Sequence, residues 1–95
     1  MTNNLIISYD LHKPGQNHDI VKQTIENLPV PTIHLQGSVF YVSTLMTAGQ
    51  VADKVFSVMD LNDQLIVVDA TNKMITFRGN ISLQTKNFIQ YHWFS

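Results

Sequence analysis

Ninety-five residues suffice for one domain, and a chain of that size buries roughly 60–65% of its unfolded surface, enough for one core with little margin. Six Lys and Arg stand against seven Asp and Glu, with Arg78 the single arginine; this balance excludes the basic surface on which tight autonomous duplex binding rests. Cysteine is absent, which excludes disulfides and thiolate metal sites, while 44% hydrophobic against 14% charged residues leaves apolar surface for a partner to cover.

Leu5-Ile6-Ile7-Ser8-Tyr9 is a short apolar run rich in β-branched and aromatic residues, and it predicts a buried strand closed by Asp10. A charge at the end of such a strand is costly unless it is hydrogen-bonded, paired, metal-bound or exposed at the rim of the sheet. Asp10 is therefore either a turn-capping residue or the start of a site. Leu11–Asn17 is a loop built on Pro14-Gly15 turn chemistry. Asn17 is placed to cap a helix with Asp19 in its first turn, and Ile20, Val21, Thr24, Ile25 and Leu28 recur at helical spacing until Pro29 and Pro31 end it.

Thr32–Gln36 and Val39–Ser43 read as a strand pair around Gly37-Ser38. Thr47 caps a second helix with Val51, Val55, Val58 and Met59 on one face, and Asn62-Asp63 turns into the apolar strand Leu65–Val68, which ends at Asp69. The order β-α-β-β-α-β is that of a ferredoxin-like α+β fold, a four-stranded antiparallel sheet with two helices on one face. With the first and fourth strands outermost, Asp69 does not approach Asp10 and, with Thr71-Asn72, reads as turn chemistry.

Alternation puts Leu5, Ile7 and Tyr9 on one side of the first strand and Ile6, Ser8 and Asp10 on the other, more polar side, away from the helices. Both sides of Leu65–Val68 are apolar, so a second layer is expected, either the tail or another copy of the chain. The core covers about residues 4–70 of a single domain, 1–95, and residues 71–95 form an extension. A short strand at Met74–Phe77 is followed by a weaker helix with Phe88, Ile89, His92 and Trp93 on one face, docked in cis or across a dimer. The N-terminus lacks signal-peptide character and no run is long enough to span a bilayer, so a soluble, cytoplasmic protein is expected.

Two segments carry a resemblance. Ser8-Tyr9-Asp10 at the end of the first strand resembles the tyrosine–aspartate end of that strand in the small CRISPR-associated adaptation subunits, the second-numbered Cas family. Gln36-Gly37-Ser38-Val39-Phe40 is similar to that family's glutamine-x-serine-valine-phenylalanine lead into the third strand. Element order agrees over roughly residues 4–70, and the relatives include virulence-associated protein D and toxin–antitoxin ribonucleases. The first helix lacks the arginine often found downstream of the aspartate, and the Lys13-Pro14-Gly15 loop is long, which points to a stand-alone relative.

The resemblance implies a homodimer joined through the open sheet faces, with Ile6, Ser8, Ile66 and Val68 at the interface and the two Asp10 side chains near its axis. It implies a metal-dependent endonuclease, or a non-catalytic structural subunit on the same dimer. In the first case Asp10 would ligate Mg²⁺ or Mn²⁺, since hard cations take oxygen ligands and keep several waters. His12, on the same face if the strand persists, would be general acid or base, because imidazole titrates near neutrality. Lys13, Gly15 and Ser38 are candidate phosphate contacts. Two aspartates across an axis repel unless a cation lies between them. In the second case Asp10 only caps its loop, and the partner is a toxin, an antitoxin or another protein rather than RNA or DNA. His18, His34 and His92 lack metal-ligand spacing.

Overall fold

The computed structural model describes residues 2–13 and 18–93. In chain order these form β1 (Asn3–Asp10), α1 (His18–Glu26), β2 (Thr32–Gln36), β3 (Val39–Thr44), α2 (Ala48–Phe56), β4 (Gln64–Asp69), β5 (Met74–Gly79) and α3 (Leu83–Trp93). All strand pairs are antiparallel, in the order β2-β3-β1-β4-β5. The sheet thus has five strands rather than the expected four, because the tail strand pairs with β4. The placement of β1 and β4 outermost is also corrected: β1 is the middle strand and β4 lies beside it. Asp69 pairs with Leu5 and Asp10 with Gln64, so the two aspartates lie at opposite ends of β1.

Alternation sorts the sheet into two unlike sides. Leu5, Ile7, Phe40, Val42, Leu65 and Val67 are completely buried beneath α1 and α2. From α1 come Val21 and Ile25, one turn apart; Ile20 remains exposed, and the Thr24 hydroxyl donates to its carbonyl. From α2 come Val51 and Val55, with Ala48 and Ala52 short enough for close approach. Each fully buried Val, Leu or Ile stabilises the fold by about 1.5–3 kcal/mol. Thr47 begins α2 with a reciprocal cap: its hydroxyl accepts from the Gln50 amide at 3.1 Å, and the Gln50 side chain accepts from the Thr47 amide at 2.9 Å. The expected Asn17 cap and Pro14-Gly15 turn lie outside the described residues.

Among the described residues, no helix is laid across the other side. Register aligns Ile33, Tyr41, Ile6, Val68 and Ile75 in one row across all five strands. Val39, Ser8, Ile66 and Phe77 form a second row. Ile66 and Val68 are half-buried, so the second layer expected over β4 is not supplied by the described chain. Among the described residues the tail helix is little covered: Leu83, Phe88 and Tyr91 of α3 are 71%, 65% and 76% exposed, while Ile89 is half-buried.

Two aspartates stitch the ends of the sheet. Asp69, 3% exposed, accepts from the backbone amides of Thr71 and Asn72 and from the Asn72 side chain, forming the turn into β5. Asp63, 1% exposed, accepts from the backbone amides of His12 at 2.7 Å and Asp60 at 2.8 Å, and its carbonyl accepts from the Asn80 amide at 2.9 Å. Gly79 makes that last approach possible. It has φ +89°, and a Cβ there would lie 1.9 Å from the Asp63 carbonyl oxygen. Gly79→Ala should therefore cost about 3 kcal/mol or more in urea unfolding, since it combines left-handed backbone strain with a backbone clash. A loss within about 0.5 kcal/mol, the range of a neutral surface change, would show that the β5 end is not held this way.

Candidate functional site

β1 runs out of the sheet at Asp10, and the next two residues turn toward the loop between α2 and β4. The direction is set by Asp63, whose carboxylate grips the His12 amide. This brings Asp10, Leu11 and His12 against Asn62, Gln64 and Asn80 around a cleft of about 200 Å³. The Gln64 side-chain amide donates to the Asn80 carbonyl at 2.8 Å and steadies that wall. A smaller recess of about 80 Å³, lined by Ser8, Tyr9, Asp10, Gln64 and Ile66, connects the site to the helix-free face.

The structure brings together two of the expected site residues and separates the others. Asp10 and His12 share the cleft and are both exposed. No hydrogen bond or ion pair engages the Asp10 carboxylate among the described residues, in contrast to Asp63 and Asp69. Lys13 is exposed beyond His12. Gly15 lies outside the described residues. Ser38 does not line the cleft; its carbonyl accepts from the Tyr9 amide at 3.1 Å. Ile6, Ser8, Ile66 and Val68 all lie on the helix-free face.

The cleft's donors are one carboxylate, three side-chain amides and an imidazole, and among the described residues no three His, Cys, Asp or Glu cluster as a ready metal cage. Oxygen donors suit Mg²⁺ or Mn²⁺ better than Zn²⁺. A single chain offers such an ion one charged ligand, so waters, phosphate oxygens or a second Asp10 would have to complete the shell. Arg78 takes no part: it sits on the helix side of β5, 3.2 Å from Asp53 of α2.

Sequence reading missed the support beneath the site. The Tyr9 hydroxyl and His18 Nδ1 are hydrogen-bonded at 3.0 Å, pinning the start of α1 under the end of β1. A buried tyrosine needs a partner for its hydroxyl, which was the available signal, but nothing local pointed to His18. Burial pushes the Tyr9 phenol above its usual value, and the charges of Asp19 and Glu26 push the same way against the lowering effect of Ser38.

The chain matches no protein-family model, no curated protein and no solved structure.

The raised Tyr9 value has a signed consequence. The folded state keeps the phenolic proton that the unfolded chain gives up near about pH 10. The stability contributed is thus fully present below that pH and is lost as pH rises through the folded value. Tyr9→Phe should cost about 1 kcal/mol at pH 7 through the lost hydrogen bond. It should also lose less stability than wild type between neutral and strongly alkaline pH in parallel denaturation curves. Identical alkaline slopes would overturn the assignment.

Proposed function

We propose that this chain is a stand-alone, ferredoxin-like member of the superfamily of small CRISPR-associated adaptation subunits and virulence-associated protein D. In this reading it is a cytoplasmic homodimer joined through its helix-free sheet faces, and it cleaves RNA or DNA phosphodiester bonds with a divalent ion held at Asp10. The order β2-β3-β1-β4 with α1 and α2 on one side supports the βαββαβ assignment. Among the described residues, no helix is long and apolar enough to cross a membrane.

The observation that carries the reading is the unequal fate of the aspartates at the ends of the sheet. Asp63 and Asp69 are buried and consumed by turn amides, whereas Asp10 is exposed on the helix-free side, beside a polar cleft. Asp10 would hold Mg²⁺ or Mn²⁺, and Asn62, Gln64 and Asn80 add neutral oxygen donors. A bound ion supplies an activated water and neutralises developing charge. His12 would carry the proton to the leaving oxygen, and Lys13 would draw the phosphate toward the cleft.

A second reading is a non-catalytic module, an antitoxin or regulatory subunit on the same dimer. It is favoured by the single carboxylate in the cleft and by the engagement of the only arginine with Asp53 on the helix side.

Cleavage of an RNA and DNA panel with Mg²⁺ or Mn²⁺ tests the choice. Asp10→Asn should leave stability within about 0.5 kcal/mol, as for an exposed side chain, and lower cleavage by about a hundredfold or more, as should chelation of the metal. Cleavage indifferent to both would remove Asp10 from the chemistry. Inertness toward every substrate, together with copurification of one specific protein, would favour the module.

A further inference from the structure

We infer that α3 is an intermolecular clasp, which packs on the helix-free sheet face of a second copy of this chain. The inference rests on the dimeric reading above and adds to it the element that completes the contact.

Three observations lead to a second copy rather than to another partner. The first is the chemistry of the face. Its two central rows carry no carboxylate, ammonium or guanidinium group, and the Tyr41 hydroxyl is already satisfied by Asn4 Oδ1 at 2.7 Å. An isologous contact sets a patch against itself, so any charge there would meet its own like; these rows can meet without that cost. Polar rows frame them, Asn4 and Ser43 at one end and Asp10 and Gln64 at the other, the apolar-centre, polar-rim arrangement of protein interfaces.

The second is the state of α3. Ser82 starts it, its hydroxyl accepting from the Thr85 amide at 3.1 Å, but the helix has only 11 residues. Helices shorter than about 12–15 residues are marginal in water and depend on packing. Yet Leu83, Phe88 and Tyr91 face solvent, so its stability requires a surface that the described residues do not supply. The helix is rooted at the rim of the uncovered face: Ser82 and Thr85 share a recess of about 330 Å³ with Gln64, Ile66 and Ile81. A copy stacked on that face comes to rest beside α3.

The third is size. Five strands about 4.8 Å apart, one of eight residues, one of five and three of six, at about 3.3 Å per residue, give a footprint of about 490 Å². A standard interface needs roughly 800 Å² per partner, so the sheet alone falls short. α3 is about 16 Å long and about 10 Å wide. Because the partner's α3 lies on sheet already counted, each copy adds only its own α3, about 160 Å², for a footprint of about 650 Å², at the lower end of the roughly 600–1,000 Å² per partner of standard interfaces.

The test uses the full chain with p-benzoylphenylalanine in place of Phe88, mixed with isotope-labelled chain, irradiated and mapped by mass spectrometry. Light scattering on a dilution series compares wild type with Leu83→Asp/Phe88→Asp, both positions exposed and so harmless to folding. Cross-links from position 88 to the other chain's residues in β1, β3, β4 or β5, with dimer affinity in the double variant reduced about tenfold or more, are the expected results. A dimer of unchanged affinity, with cross-links confined to one chain, overturns the clasp and leaves the sheet-to-sheet dimer standing. A wild-type monomer throughout the micromolar range overturns the clasp and the dimeric reading together. Cross-linking to bound RNA or to an unrelated polypeptide in place of the second copy also overturns it.

Discussion

The Asp63 carboxylate, withdrawn from water where β4 begins, is the constraint that organises the Asp10 end of the molecule. Burying a carboxylate is expensive unless it is hydrogen-bonded, and here the backbone amides of His12 and Asp60 meet that need. The same residue accepts Asn80 through its carbonyl, which is possible only because Gly79 has no Cβ. One residue therefore ties the exit of β1, the loop before β4 and the end of β5. The Asp10 cleft is the space left between those three segments. Its lining is mostly polar because the strand ends Asp10 and Gln64 and the turns beside them supply it, and its position is steady because these segments share an anchor.

Cover on one side only is the second determinant. α1 and α2 occupy a single face, and the opposite face keeps two rows rich in Ile, Val and Phe. That asymmetry makes the molecule a half-finished sandwich by the ordinary rule that domains bury apolar layers against each other. The excess of apolar over charged residues in the composition has its structural counterpart here, in the mostly half-buried rows and in α3. Asp10 borders this same face, which is why the question of chemistry and the question of assembly concern one surface.

Several polar side chains have structural duties. Arg78 pairs with Asp53 across the β5–α2 contact, Asp69 forms its turn, and Tyr9 holds His18 below the site. These are stabilising duties on the helix side or at the sheet ends. Asp10 and His12 have no such duty among the contacts described, and that difference separates a candidate functional pair from structural polar residues of the same type.

Local pattern alone determined the elements. Period-two alternation in β1, the Val51 and Val55 stripe and the Thr47–Gln50 cap involve neighbours within one turn or one strand, where sequence spacing translates directly into geometry. It also foretold the unlike sides of β1 and the turn role of Asp69, whose donors are two and three residues away. Strand order was decided only in three dimensions, because pairing joins residues far apart in the chain: β1 became central by hydrogen-bonding β3 and β4 at once. For the same reason Asn62-Asp63 read as an ordinary turn, although its carboxylate serves an amide 51 residues away. The amide walls of the cleft were equally invisible, since Gln64 and Asn80 meet Asp10 only after β4 and β5 have folded beside β1.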